Sequence, residues 1–334
     1  MPKAKSETKK ISEVQVAYTL NFIEASTKAR PFLKWAGGKG QLLERLVGLF
    51  PAEIHEGKIQ KYAEPFIGGG ALYFFIAQVY PQIEKFFISD ANQELVLAYK
   101  TIQKDVESLI SFLEKLEKKY HGLDGIAQKE FFYEQRKKFN EKLSVINFNE
   151  FQTDWVERTA EIVFLNRTCF NGLFRVNTKG EFNVPFGDYK NPKICDADNL
   201  RAVSVLLQKT EIELGDFTAS EKFVDSSTFV YFDPPYRPLS KTASFTSYSK
   251  FEFGDDAQKR LAEYYTLLSK KQARLMLSNS DPKNENLDDH FFEDLYKDFR
   301  IERVDASRMI NSNSSKRGKI KELVIMNYWN DEGG

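Results

Sequence analysis

Short apolar runs punctuate the chain from Pro31 onward, and each ends in an acid, a glycine or a small polar residue. Lys61–Ala63 leads into Glu64-Pro65, Phe86–Ile88 into Ser89-Asp90, and Ile212–Leu214 into Gly215-Asp216. Phe229–Phe232 ends at Asp233, and Leu275–Leu277 at Ser278-Asn279. Runs this short suit strands buried on both faces, as parallel strands are. Between several of them apolar positions recur at helical spacing, over Leu72–Gln78, Gln93–Lys104 and Ala257–Lys270. Two late runs, Ile301–Asp305 and Glu322–Tyr328, are expected to pair antiparallel at one edge. The alternation predicts an α/β fold with a doubly wound, mostly parallel, seven-stranded sheet. Such sheets bind ligands beyond the carboxyl ends of their strands.

The alternation breaks between about residues 100 and 200. Val106, Leu109, Ile110, Leu113 and Leu116 fall at helical spacing, and Trp155–Leu165 is a second helix candidate. Between them lies a polar, aromatic stretch. Beyond Leu165 the chain turns irregular and rich in Asn, Gly, Phe and Arg. Residues 97–198 are therefore expected to form a mostly helical domain inserted into a sheet domain made of 31–96 and 199–334. Residues 1–30 are polar and weakly patterned, and are expected as a flexible arm with a short helix near Val14–Glu24.

Composition narrows the class. The 334 residues are 42% hydrophobic and 14% aromatic, which excludes a mainly disordered chain. Lys and Arg number 48, as do Asp and Glu, so any anionic partner must meet a local patch. Two cysteines, Cys169 and Cys195, and three scattered histidines exclude a disulfide scaffold and argue against a His/Cys metal centre. No apolar run reaches the roughly 18 residues of a membrane span. The expectation is a soluble, cytoplasmic protein of a reducing compartment, with no metal.

Three elements carry candidate chemistry. Glu64-Pro65-Phe66-Ile67-Gly68-Gly69-Gly70 follows a strand and opens a helix, so backbone and ligand can approach closely there. Asp90, some 20 residues on at the end of the next strand, stands where a doubly wound fold places an acid for ribose hydroxyls. In Trp35-Ala36-Gly37-Gly38-Lys39 the Lys is followed by Gly40, so this is not a phosphate-binding P-loop. Trp35 can cover a ligand there, and Lys39 can pair with a carboxylate. The third element, Asp233-Pro234-Pro235-Tyr236, ends the run 229–232. Its prolines force an extended turn and hold two acceptors together, the Asp233 carboxylate and the Pro234 carbonyl. With the Tyr236 face beside them, they suit a planar ring that bears an exocyclic amine.

These elements, in this order, resemble the Dam-type N6-adenine DNA methyltransferases. The likeness spans about residues 31–330 and includes Leu165-Asn166-Arg167, Phe170–Asn177, Phe182–Gly187 and Gly215-Asp216-Phe217. It is strongest to the subgroup that methylates adenine in GATC. The resemblance implies a Rossmann-like methyltransferase fold and S-adenosylmethionine as methyl donor. Trp35, Lys39, Asp90 and Asp233 would contact the donor, Asp216 and Phe217 would lie near its adenine, and Phe66 and Gly68 would shape the pocket at its methionine end. The target adenine would leave the duplex and stack on Tyr236, with Asp233 and Pro234 holding its amine. No metal is implied.

Residues 166–193 carry five basic residues against two acids, and Asn177–Glu181 reads as a hairpin turn. A β-ribbon fits the major groove. By resemblance Asn171, Leu173, Arg175 and Pro185 are candidate readers of double-stranded DNA, and Phe170 would fill the gap left by the flipped base. Asp188 departs from relatives that often have Arg there. Lys316 and Arg317, in a basic stretch with no acid between residues 307 and 321, are expected to clamp the DNA backbone. The sequence leaves open whether a cognate restriction endonuclease accompanies the chain or it acts alone. Weighed beside this reading are a catalytically silent DNA-binding regulator and an amine methyltransferase acting on cytosine N4 or on RNA.

Overall fold

The computed structural model describes residues 29–35, 37, 39, 42–237, 253–307 and 319–329. The expected helix at 14–24, and Lys316 and Arg317, lie outside them. Seven strands form one sheet: β1 (Lys61–Glu64), β2 (Lys85–Asp90), β3 (Thr210–Leu214), β4 (Thr228–Phe232), β5 (Arg274–Ser280), β6 (Arg300–Ser307) and β7 (Lys319–Met326). Their spatial order is β3-β2-β1-β4-β5-β7-β6. The first five run parallel, while β7 lies antiparallel between β5 and β6. The expected pair is thus present, with β6 as the edge. Order reverses between β1 and β4, the switch point at which an open sheet leaves a crevice.

The two-residue period of each strand divides the core. Tyr62, Phe86, Phe229, Tyr231, Met276 and Val324 face one side. Ala63, Phe87, Val230, Phe232, Leu275 and Leu323 face the other. The first side is covered by α1 (Ala71–Val79), α2 (Gln93–Lys104) and, later in the chain, Ala197–Leu207; the second is covered by Asp255–Lys270. Asn92 caps α2 by accepting from the amides of Glu94 and Leu95.

The segment between about 100 and 200 packs as α3 (Val106–His121), α4 (Gly125–Glu141) and α5 (Asp154–Thr168), followed by α6 (Ala197–Leu207) and, beyond β4, α7 (Asp255–Lys270). Residue 97, the expected start of the insert, falls inside α2. The insert also shares one continuous apolar cluster with the first face of the sheet, from Tyr62 and Phe86 through Leu109 and Tyr120 to Phe164. Arg158 of α5 is buried against Glu94 of α2, giving Nε to Oε2 at 3.0 Å and a second bond to Oε1. The stretch between the two expected helices, read from sequence only as polar and aromatic, is α4.

The end of the expected N-terminal arm is docked rather than free. Ala29 is buried, and the Arg30 amide donates to Asn199 Oδ1 at 2.9 Å while its guanidinium pairs with Asp196. These bonds bind residues 29–30 to the start of α6.

Candidate active site

The Gly-rich turn leaves β1 at the switch point. Gly68 and Gly70 have φ of 48° and 71°, in the left-handed region that favours glycine. A Cβ on Gly68 would stand 3.1 Å from the Trp35 ring, and one on Gly70 2.6 Å from the Tyr99 hydroxyl oxygen. Trp35 therefore walls the turn on one side, and its other neighbour is Phe174, stacked at 5.4 Å. Asp90 ends β2 and accepts from the amides of Gly68 (3.2 Å) and Asn92 (2.9 Å). Burial raises its pKa, against the lowering effect of these backbone donors.

At the end of β3, Asp216 pairs with Arg260 and accepts from the Thr218 amide. Phe217 is buried beneath Phe66 and Phe253, with ring centres 5.6 and 6.1 Å away. Phe66, only partly buried, is the more accessible face of this aromatic group. A carboxylate, an aromatic slot and the Lys39 ammonium thus line neighbouring strand ends. That donor set fits the diol, the base and the carboxylate of a nucleoside carrying an amino-acid tail.

Asp233–Tyr236 follows β4, beside β1. Lys39 Nζ lies 2.9 Å from Asp233 Oδ1 and 4.3 Å from the centre of the Tyr236 ring, and it also donates to the Tyr236 hydroxyl. That hydroxyl donates to Glu322 Oε2 at 2.5 Å. Burial raises the pKa of Asp233, Lys39 works against that rise, and Glu322 adds to it. The turn is anchored from behind: Gln258 donates to the Pro235 carbonyl at 3.2 Å, and Arg237 bridges Asp255 and Asp289 at 2.7 Å each.

Two acids of this cluster were not singled out from the sequence as chemical candidates. Glu64 ends β1, accepts from the Tyr62 hydroxyl at 2.7 Å, and has a pKa pushed well up by burial and, less, by Asp233. Glu322 opens the buried part of β7. An acid directly before the apolar run Leu323–Met326 is the one signal for it in the sequence.

The hairpin region is held by two isolated bridges, Cys169 with Phe186 and Val176 with Phe182, rather than by full strands. Asn177 Oδ1 accepts from the amides of Lys179 and Glu181 and closes the turn. Arg175 donates through Nε to Asn183 at 2.8 Å across the hairpin. Phe170 is 52% exposed and Leu173 37%, and Asn171, Arg175 and Pro185 are exposed as well. Asn166 fastens this region to the segment before Trp35, bonding the Lys34 amide and carbonyl at 2.8 and 2.9 Å and the Gly172 carbonyl at 2.9 Å. Asp188 is exposed with φ of 49° and makes no ion pair with a neighbouring Lys among the described residues. Among the described residues no cluster of His, Cys, Asp and Glu could hold a metal ion, and no helix is long and apolar enough to cross a membrane.

A seven-stranded sheet of this order, with a Gly-rich turn and an acid-Pro-Pro-Tyr turn on neighbouring strand ends, has the form of an α/β methyltransferase. The chain belongs to the D12 class of N6 adenine-specific DNA methyltransferases, whose family model matches residues 35–310. It is 51% identical over 302 residues to the type II methyltransferase M.MjaIII of Methanocaldococcus jannaschii, covering 90% of this chain and 100% of the relative. It is 40% identical over 303 residues to the type II methyltransferase M1.LlaDCHI of Lactococcus lactis subsp. cremoris, covering 90% and 96%. Identity to the DNA adenine methylase of Haemophilus influenzae is 33% over 305 residues, covering 91% and 96%. The protein is thus an enzyme that methylates adenine N6 in DNA.

Proposed function

We propose that the methyl donor is S-adenosylmethionine, that the target adenine is flipped out of double-stranded DNA, and that the site is GATC. The observation that carries the reading is the meeting of Lys39, Asp233 and Tyr236 beside the Gly-rich turn. Bound in the crevice, S-adenosylmethionine supplies an electrophilic methyl on its sulfonium. Asp90 would take its ribose hydroxyls and Lys39 its carboxylate, with Trp35, Phe66 and Gly68 walling the pocket and Asp216 and Phe217 near its base.

The chain's own part in the chemistry is placement. The N6 lone pair of adenine is delocalised into the ring, so the amine is a weak nucleophile. The Asp233 carboxylate and the Pro234 carbonyl would accept its two N–H groups and favour a more tetrahedral nitrogen. The ring would stack on Tyr236, since a base inside the duplex is out of reach. Holding the reacting groups in one geometry supplies much of the rate.

Asn171, Leu173, Arg175 and Pro185 would read the duplex, and the exposure of Phe170 suits a side chain that fills the vacated stack. The GATC assignment rests on the likeness of residues 165–177 and 182–187 to that subgroup. The type II naming of two relatives favours a restriction–modification setting over a solitary one. Methylation of a mixed DNA, followed by modification-sensitive sequencing, tests the target. N6-methyladenine confined to GATC is expected, and any other context removes the assignment.

A further inference from the structure

Two carboxylates of the site, Glu64 and Glu322, have no part in the proposed roles; Glu64 is bonded to Tyr62, while Glu322 reaches Tyr236 and Lys39. Glu322 lies across from Ser280 on β5 and Val304 on β6, so the register of two strands fixes it. Its Oε2 accepts from the Tyr236 hydroxyl at 2.5 Å and stands 3.7 Å from Lys39 Nζ. Lys39 meanwhile sits 2.9 Å from Asp233 Oδ1 and 4.3 Å from the centre of the Tyr236 ring. An ammonium in that place has what the target amine needs: a hydrogen bond to Asp233 beside an aromatic face. The two nitrogens compete for that place. Lys39 must leave the ring face and loosen its bond to Oδ1 before the amine is seated there. A buried cation moves only toward another anion or strong acceptor, whether the carboxylate of the bound donor or an acid of the site. Glu322 already stands within reach on the other side.

We infer that Glu322 is a positioning residue for methyl transfer: it draws the Lys39 ammonium off Asp233 as the target amine arrives, and it holds the Tyr236 hydroxyl so that the ring keeps its face to the base. The inference rests on the reading of Asp233 as acceptor of that amine. Glu322 itself touches neither substrate. Its negative charge keeps Lys39 from being bound too tightly to Asp233, and its bond to Tyr236 fixes the ring plane.

Glu322→Gln tests this, because it keeps the length and an oxygen for Tyr236 but removes the charge. Single-turnover methyl transfer is expected to fall about ten- to a hundredfold, with affinities for DNA and S-adenosylmethionine within about twofold of wild type. A merely structural role would not move the pH profile. Asp233 is faced by Lys39, Glu64, Tyr62, Tyr231, Tyr236 and Glu322, and the Glu322 charge is one cause of its raised pKa. Its loss is therefore expected to shift the acid limb of the rate profile to lower pH, while Glu322→Asp, which keeps the charge, leaves the limb in place and recovers part of the rate. A Glu322→Gln enzyme with the wild-type rate and an unmoved limb would overturn the inference. Asp233→Ala, run alongside, separates the two claims. If it also turns over normally, the reading of the site fails; if it is inert while Glu322→Gln is normal, only the role of Glu322 fails. Should Glu322→Gln not fold, Tyr236→Phe removes the same bond from the other side. A severalfold rate loss with DNA affinity kept is then expected, and an unchanged rate would overturn the inference.

Discussion

Arg158 and Lys39 are both buried cations, 1% and 6% exposed, and their surroundings differ in kind. Arg158 joins α5 to α2 and meets one acid, Glu94, through both carboxylate oxygens. Its remaining donors include one to the Phe139 carbonyl, and its plane stacks 3.4 Å from the centre of the Phe139 ring. Charge is balanced and the planar fork is matched. Lys39 instead stands between Asp233 and Glu322, with Asp233 close enough to Glu64 to raise its pKa. Its ammonium is a point charge that can exchange partners. The first arrangement is saturated and holds the insert to the sheet. The second has more acids than cations, which costs stability and leaves an acceptor for a substrate amine.

Breaking each cluster should therefore damage different properties. Asp233→Ala is expected to lower methyl transfer by at least about a thousandfold while DNA affinity stays near wild type, because phosphate contacts dominate affinity. Filter binding and steady-state rates measured together check this. Arg158→Met should instead cost about 3–5 kcal/mol of stability by leaving Glu94 buried and unpaired. Urea unfolding reads the loss, and the protein that remains folded should keep its turnover. Adding Glu94→Leu should restore much of the stability, since an apolar pair replaces the ionic one.

Arg175 lies outside both clusters, on the hairpin. The pairing of Arg175 with Asn183 leaves part of its guanidinium for a base edge. Arg175→Ala is expected to lose about 1–3 kcal/mol of discrimination between GATC and single-base variants. Even weakening across all sequences would make the hairpin a clamp. The smallest effect is expected from Glu64→Gln. Glu64 has its folded-state pKa raised well above the ordinary range, so its ionised form disfavours the folded state. The cost is absent below the ordinary carboxyl pKa and grows as pH rises above it. The variant should melt a few degrees above wild type at neutral pH and lose that lead in acid, which a pair of melting curves will show.

The same contrast explains what the sequence made visible. The strands and the turns of the candidate site were legible because a short apolar run ending in Asp, Gly or Pro is a local pattern. Asp90, Gly68 and Asp233 all occur at such ends. Helix α4 was not, because Phe131, Phe132, Gln135 and Phe139 are its only buried residues among many charges, too sparse a stripe to set a period. The tie between α5 and α2 was hidden because the Arg158–Glu94 pair joins residues 64 positions apart. Glu322 was hidden for a related reason. Its meaning depends on β7 slipping between β5 and β6, a long-range register that no local spacing encodes.

If the cluster of Lys39, Asp233 and Tyr236 carries out adenine methylation, loss of the Asp233 carboxylate removes the product. DNA treated with wild type and with Asp233→Ala, in equal amounts and at saturating S-adenosylmethionine, can be digested to nucleosides and separated by mass. N6-methyldeoxyadenosine is expected from wild type and almost none from the variant, with donor binding retained in both. An undiminished N6-methyldeoxyadenosine yield from Asp233→Ala would contradict that role of the cluster.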